Sequence, residues 1–218
     1  TMVPDLFGVK RVDGVYWSLL PELAFYFLMY VTLTFKKIKN IDVICYVWLI
    51  IIFFNSLHDV MPIRVLLNLR FGHLFIMGIC FYKIKYGEAK WYNHLLVLLC
   101  YLVSFMLTDS IEKHIILLVF ILIFYMFVYG KLTWLKIKPL IVVGEISYAL
   151  YLIHQFIGYY IISELVNLGV YNNLLLVLIP TTITLLMSYV ITYYLEKPIQ
   201  TFLRSTWKRY YVKEKVNE

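Results

Sequence analysis

A few ionisable side chains lie inside the long apolar runs of this sequence, and they are the first candidates for chemistry. Glu22 falls in the first apolar run and His154 in the sixth. Arg70 and His73 are three residues apart in the third run, a spacing that puts both on one face of a helix. A charged group is costly in lipid, so an ionisable residue there is a functional candidate by default.

The helix rise predicts that these side chains lie at similar depth. Counted from the ends of their runs, Glu22 is roughly 7–8 Å deep, Arg70 roughly 10 Å deep, and His154 roughly 22 Å from the opposite end. This places all three in one half of a bilayer, with His73 nearer the middle. We therefore expect spans one, three and six to be neighbours, and Glu22, Arg70 and His154 to line one cavity, paired directly or through water.

Each candidate also has a simpler interpretation. Glu22 is compatible with an interfacial carboxylate, His154 with a neutral histidine bonded to a backbone carbonyl, and Arg70 with a purely structural partner of Glu22. His73 is more typical of a structural than of a catalytic residue. Glu145 is expected to cap a helix or to pair near the other membrane face. Three histidines at loop edges are expected to be solvated: His58, His94 and His114.

The composition predicts the elements that position these residues. The chain is 62% hydrophobic and 15% charged, which a water-soluble surface does not allow. The apolar runs are continuous rather than alternating, which favours helices over a barrel. We predict an all-α, polytopic transmembrane bundle of about seven spans, forming one domain over residues 1–218. The predicted spans are Trp17–Phe35, Ile41–Leu57, Pro62–Tyr82, Tyr92–Leu107, Ile115–Tyr129, Leu140–Leu165 and Leu174–Leu195.

The basic residues predict the orientation of the bundle. Fifteen of the 20 Lys and Arg residues fall on one side of the predicted spans, including a basic tail over residues 196–218. The positive-inside rule puts that side in the cytoplasm and the N-terminus outside. The net charge of +7 is thereby explained by membrane topology, with the lipid bilayer as partner and no nucleic acid.

Four segments carry a resemblance to a known family. DGVYWSLLPELAFYF, RFGHLFIMGICFYK, GEISYALYLIHQF and YLEKP follow one another along the chain. In that order they resemble the motifs of the acyltransferase-3 family of integral membrane acyltransferases, of which this chain would be the C-terminal portion. The third segment, with its Ser-Tyr pair and its histidine, is the most specific of the four.

The resemblance implies transfer of an acyl group, commonly acetyl from acetyl-CoA, to a hydroxyl of a surface polysaccharide or a lipid-linked sugar in a bacterial inner membrane. It implies no bound cofactor or metal, with the acyl-CoA acting as donor substrate. By the resemblance the catalytic residues would be Glu22, Arg70 and His154, and the substrate-binding residues would be Trp17, Ser147 and Tyr148. His73 is added to the substrate-binding residues because it shares a helix face with Arg70. Family members carry a basic residue and a histidine in an earlier span, so we expect this chain alone to lack activity.

Physical chemistry is compatible with this function. Acyl transfer needs a base for the acceptor hydroxyl and a donor for the developing oxyanion. Glu22 is suited to orient a histidine, and Arg70 to stabilise the carbonyl oxygen or to bind a donor phosphate. Two alternatives stay open: a transporter or flippase for a sugar-containing lipid, and a structural or sensory seven-span protein. Transporters usually show repeats and broken helices, and no repeat is visible here.

Overall fold

The prediction of an all-α protein is confirmed. The structure, a computed structural model, describes residues 18–57 and 70–216, and these form helices and turns without any strand. The α-helices in chain order are α1 (Leu19–Thr34), α2 (Ile41–Leu57), α3 (Gly72–Lys85), α4 (Trp91–Leu107), α5 (Ile111–Val128), α6 (Lys138–Asn167), α7 (Asn173–Val190) and α8 (Lys197–Val216). A π-helical segment, Ile191–Glu196, joins α7 to α8, so that the described chain contains seven continuous helices.

The helices are apolar enough to make this an integral membrane protein. Four stretches have the length and composition to cross a bilayer: Ile38–Leu57, Ile111–Val128, Lys138–Asn167 and Asn173–Trp207. Helices α1 and α4 are apolar but shorter. Helix α6 has 30 residues and is therefore about 45 Å long, which exceeds the hydrocarbon thickness and requires tilt or protrusion.

The described residues belong to two compact units. The N-terminal unit contains α1–α5 and ends at Leu135, and the C-terminal unit begins at Lys136 and contains α6–α8. The sequence-based assignment of a single domain over residues 1–218 stays a prediction. Each unit is described by itself below.

The core of the N-terminal unit is built from one face of each of α2, α3 and α4. On α2 the buried residues are Cys45, Trp48, Leu49 and Ile52, which follow the 3–4 spacing of a helical stripe. Ile76, Met77, Cys80 and Phe81 of α3 and Leu96, Val97, Cys100 and Val103 of α4 complete this core together with Ile121 of α5. The three cysteines are thus buried packing residues, as expected from their positions in apolar runs.

Helices α6 and α7 form the body of the C-terminal unit, and small residues allow their close approach. Ala149 and Gly158 are buried on α6, and Pro180, Thr184 and Ser188 are buried on α7 at a spacing of four. Small side chains at this spacing let helix backbones come close in a membrane. The hydroxyls of Thr184 and Ser188 donate to carbonyls of their own helix, so burying them leaves neither hydroxyl unpaired.

Candidate functional site

Arg70 and His73 line the same cavity, but Arg70 is not within a helix. The cavity has a volume of about 660 Å³ and lies between α3, the end of α4 and the first half of α5. Arg70 is exposed in the turn before α3, which begins at Gly72. The expected depth of Arg70 assumed a continuous helix from Pro62. In the structure Arg70 and Phe71 form a turn and the helix begins only at Gly72, so the depth cannot be counted along one helix through Arg70, and residues 62–69 lie outside the described residues.

His73 is almost fully buried, and its Nδ1 atom lacks a hydrogen-bond partner among the described residues. The residue is 7% exposed and belongs to the first turn of α3. A buried polar atom without a partner is uncommon and costs about 1–3 kcal/mol. His73 also lines the cavity, so its Nδ1 is a candidate contact for a ligand.

Glu22 is half-buried on α1, and its helix contacts α3. The ring of Phe25, one turn further along α1, stacks on Phe75 of α3 with the ring centroids 4.5 Å apart. Phe25 also stacks on Trp48 of α2 at 6.5 Å. Spans one and three are therefore in contact through Phe25 and Phe75. Glu22 and Arg70, both within the described residues, form no direct ion pair.

Two histidines expected to be solvated are in fact packed within the N-terminal unit. His114 is 4% exposed, with Nδ1 at 3.2 Å from the Ser104 hydroxyl and Nε2 at 3.0 Å from the Thr108 carbonyl. Its ring stacks on Phe105 at 3.8 Å. The expectation failed because α5 begins at Ile111, earlier than its apolar run indicated, which turns His114 onto the face against α4.

His94 is the second of these histidines, and it belongs to the opposite end of the unit. Its Nδ1 atom lies 3.0 Å from the hydroxyl of Tyr125, and the two rings stack. The position near the start of α4 looked like a loop edge in the sequence. It faces the last turns of α5 instead, because these helices run antiparallel. His58 lies outside the described residues.

In the C-terminal unit, hydrogen bonding determines which nitrogen of His154 is free to act. Nδ1 is 3.0 Å from the carbonyl of Tyr151 and 3.1 Å from that of Leu150. A carbonyl only accepts, so Nδ1 carries the proton. In the neutral ring Nε2 then holds the lone pair, which is the arrangement of a base or a hydrogen-bond acceptor. The simpler interpretation, a neutral histidine on a backbone carbonyl, describes this bond and is compatible with either role.

His154 lines a second cavity, of about 440 Å³, between α6 and α7. Its polar lining comes from Gln155, Thr181 and Thr184 as well as His154. Pro180 lies on the same wall and has no N–H, so the helix supplies no regular donor to the Leu176 carbonyl. The lining is mostly apolar, and the hydroxyls of Thr181 and Thr184 donate to carbonyls of α7. The Gln155 amide and Nε2 of His154 remain available to a hydroxyl-bearing ligand, with the threonine oxygens as further acceptors.

The other predicted residues of the third motif are exposed on α6. Ser147 donates to the Gly144 carbonyl of its own helix at 2.7 Å, and Tyr148 is about half exposed. Ser147 lies seven residues before His154, so the two share a face about 10 Å apart along the helix. Trp17, predicted as a substrate-binding residue, lies outside the described residues.

An ion pair links two of the motif segments. Glu145 accepts hydrogen bonds from Lys197 at 2.6 Å and from the Tyr193 hydroxyl at 2.5 Å. Lys197 also lies 3.8 Å from the centre of the Tyr193 ring. Tyr193 belongs to the π-helical segment and Lys197 begins α8, so these contacts hold the GEISYAL and YLEKP segments together. Of the two roles expected for Glu145, pairing is therefore present.

The predicted site residues are distributed over both units. Glu22, Arg70 and His73 belong to the N-terminal unit, whereas Ser147, Tyr148 and His154 belong to the C-terminal unit. That they line one cavity stays a prediction. No family model matches the chain, and no curated protein or solved structure matches it. The resemblance to the acyltransferase-3 family therefore stays a prediction as well.

Proposed function

We propose that the protein is a membrane acyltransferase that modifies a sugar hydroxyl, in a surface polysaccharide or a lipid-linked glycan, with acetyl-CoA or another acyl-CoA as donor. The observation that carries the proposal is the hydrogen bonding of His154 and its position in a cavity. Its Nδ1 lies 3.0 Å from a backbone carbonyl, which leaves Nε2 as the acceptor, and its ring lines a cavity that also carries the Gln155 amide and two threonine oxygens. Four motif-like segments in family order support the same function.

In the proposed reaction the acceptor hydroxyl donates to Nε2 of His154 and attacks the thioester carbonyl. The C–O bond forms, the C–S bond breaks, and CoA leaves as the thiol after receiving the proton that the hydroxyl gave up. Hydrogen bonds between the sugar and the Gln155 amide, and from sugar hydroxyls to the oxygens of Thr181 and Thr184, would orient the sugar, which lowers the barrier by positioning. The roles predicted for Arg70 as charge stabiliser and for Glu22 as orienting carboxylate stay predictions. The setting proposed is a bacterial inner membrane with the C-terminus in the cytoplasm.

The test is genetic complementation with a chemical readout. A strain lacking the gene receives the complete gene, either wild type or with His154→Gln, and O-acetyl groups per sugar are measured on isolated surface glycan and lipid-linked sugar. We expect at least a tenfold loss of acetylation with His154→Gln, about 1.4 kcal/mol of barrier. His94→Gln is the matched control, because His94 contacts Tyr125 in the other unit. Acetylation unchanged by His154→Gln would contradict the proposal.

The same strains distinguish transport from transfer. A flippase mutant would show less glycan at the cell surface with an unchanged number of acetyl groups per sugar. A transferase mutant would show normal glycan with fewer acetyl groups. The first pattern would replace the acyltransferase proposal with the transport alternative.

A further inference from the structure

The cavity of the N-terminal unit combines a cationic mouth with an apolar wall. Arg70 and Lys113 are exposed and line the cavity where α3 and α5 begin. Neither forms an ion pair with any residue in the described part of the chain. The cavity lining contains no Asp or Glu within those ranges, so the two cations have no acidic counterpart there. Both also lie at helix N-termini, whose dipoles add to the positive potential.

His73 points to a ligand independently of these charges. It lines the cavity, it is more than nine-tenths buried, and its Nδ1 has no partner within the described ranges. His114, on the other side of the same cavity, has both nitrogens bonded. Because Nδ1 is buried, it would meet a ligand in the cavity only after the ring rotates about its Cβ–Cγ bond, a soft torsion. In the tautomer with the proton on Nδ1, this nitrogen would then donate to an anionic oxygen.

The wall below the mouth is apolar along two helices. Leu74, Met77 and Phe81 contribute from α3, and Phe120 and Phe124 from α5. Between Gly72 and Phe81 the wall extends about 14 Å along the helix axis. A free phosphate or a sugar would leave this surface uncovered, whereas a hydrocarbon chain would cover it and gain free energy by burial.

We propose that this cavity binds a membrane lipid with an anionic phosphate headgroup, the phosphate lying on Arg70 and Lys113 and the acyl chain lying between α3 and α5. Arg is well suited to the phosphate because its guanidinium can donate two parallel hydrogen bonds. The membrane setting supplies such lipids at the open side of the cavity. The proposal depends on the N-terminal unit alone and does not require that the protein transfer acyl groups.

The first arm of the test measures which ligand binds. The full chain is purified in detergent and titrated with phosphatidic acid and with diacylglycerol of the same chains. Native mass spectrometry counts the bound lipid. We expect phosphatidic acid to bind at least tenfold more tightly than diacylglycerol and to resist competition by millimolar inorganic phosphate. Equal binding of the two lipids, or complete displacement by inorganic phosphate, would refute a lipid-phosphate site.

The second arm tests the residues. Arg70→Gln combined with Lys113→Gln should weaken phosphatidic acid binding at least tenfold, whereas Lys131→Gln, an exposed cation outside the cavity lining, should leave it unchanged. Gly78→Phe should also weaken binding by filling the wall, because a Cβ at Gly78 meets no atom within 4 Å.

Gly78→Ala is the control for that variant. Size-exclusion profiles and thermal unfolding establish which variants are folded. If Gly78→Phe does not fold, the two charge substitutions decide alone, and binding that survives both of them overturns the proposal.

Discussion

At one end of the N-terminal unit Asp42 accepts hydrogen bonds from three side chains, whereas at the other end Arg70 and Lys113 flank a cavity without any acidic residue in its described lining. Asp42, at the start of α2, receives Lys83 from α3 at 2.5 and 2.7 Å, and Asn93 from α4 at 2.8 Å. Asn93 in turn accepts from the backbone N–H of Lys90. Three helices are held together by one carboxylate.

The comparison distinguishes polar groups that are paired within the protein from polar groups that can still bind a ligand. Around Asp42 every charge has an opposite partner, so this network stabilises helix positions and leaves little for a ligand. Around His73 the polar groups have unused capacity, which is costly for folding unless a ligand supplies it. Buried polar residues alone therefore do not identify a site. The unsatisfied group beside a cavity is the informative observation.

The two ends should differ in accessibility from outside the cell. Fifteen of the 20 basic residues fall on the Asp42 side of the predicted spans, so the positive-inside rule puts that end in the cytoplasm and the cavity end outside. Asp109→Cys should react with a membrane-impermeant maleimide on intact cells, and Glu88→Cys should react only after lysis. The three native cysteines are buried, which keeps background labelling low. The reverse pattern would invert the orientation.

Removing the central carboxylate of the network should have the largest effect on stability. Asp42→Ala leaves Lys83 as a largely buried cation, with 13% of its side chain exposed, and we expect a loss of about 3 kcal/mol in unfolding free energy. Denaturant titration in mixed micelles measures it. Asp109→Ala removes an exposed acid at the cavity end and should change stability by less than about 0.5 kcal/mol. Equal effects would mean that the Asp42 network is not structural.

The two histidines of the cavity provide a direct comparison. His114→Phe removes both of its hydrogen bonds and should cost about 2 kcal/mol. His73→Phe removes a nitrogen that has no partner among the described residues and should leave stability unchanged or raise it by about 1 kcal/mol. Both are measured by denaturant unfolding in lipid-free detergent. A large loss with His73→Phe would show that this ring has a partner when no lipid is bound.

The smallest expected effect concerns two glycines of α3. At Gly72 an added Cβ would lie 2.8 Å from Ile52 and 3.0 Å from Trp48, both in the core, so Gly72→Ala should cost about 1 kcal/mol through overpacking. At Gly78 the space is open, and Gly78→Ala should be neutral or stabilise by about 0.5 kcal/mol through helix propensity. The melting temperatures of the two variants, measured by thermal unfolding in detergent, test this difference. Equal melting temperatures would contradict the close packing of α2 and α3.

The sequence alone determined that the protein is all-α and membrane-embedded. Long uncharged runs leave no other way to pair the backbone in lipid, and their ends predicted most helices to within a few residues. That Glu145 has a partner could also be predicted, because a carboxylate near a span end needs one. The identity of the partner could not be predicted, since Lys197 lies 52 residues away along the chain.

The tertiary structure decided which polar residues are available. His114 and His94 looked solvated because hydropathy reports only neighbours along the chain, and their partners are on other helices. Hydropathy could not predict the network around Asp42 for the same reason, because its three donors lie 41 to 51 residues away along the chain. His73 and His114 are both histidines near the starts of apolar helices. Only the packing of α3, α4 and α5 shows that His114 has both nitrogens bonded and that His73 lines a cavity while its Nδ1 has no partner among the described residues. Hydrogen bonding depends on contacts that the linear pattern does not contain.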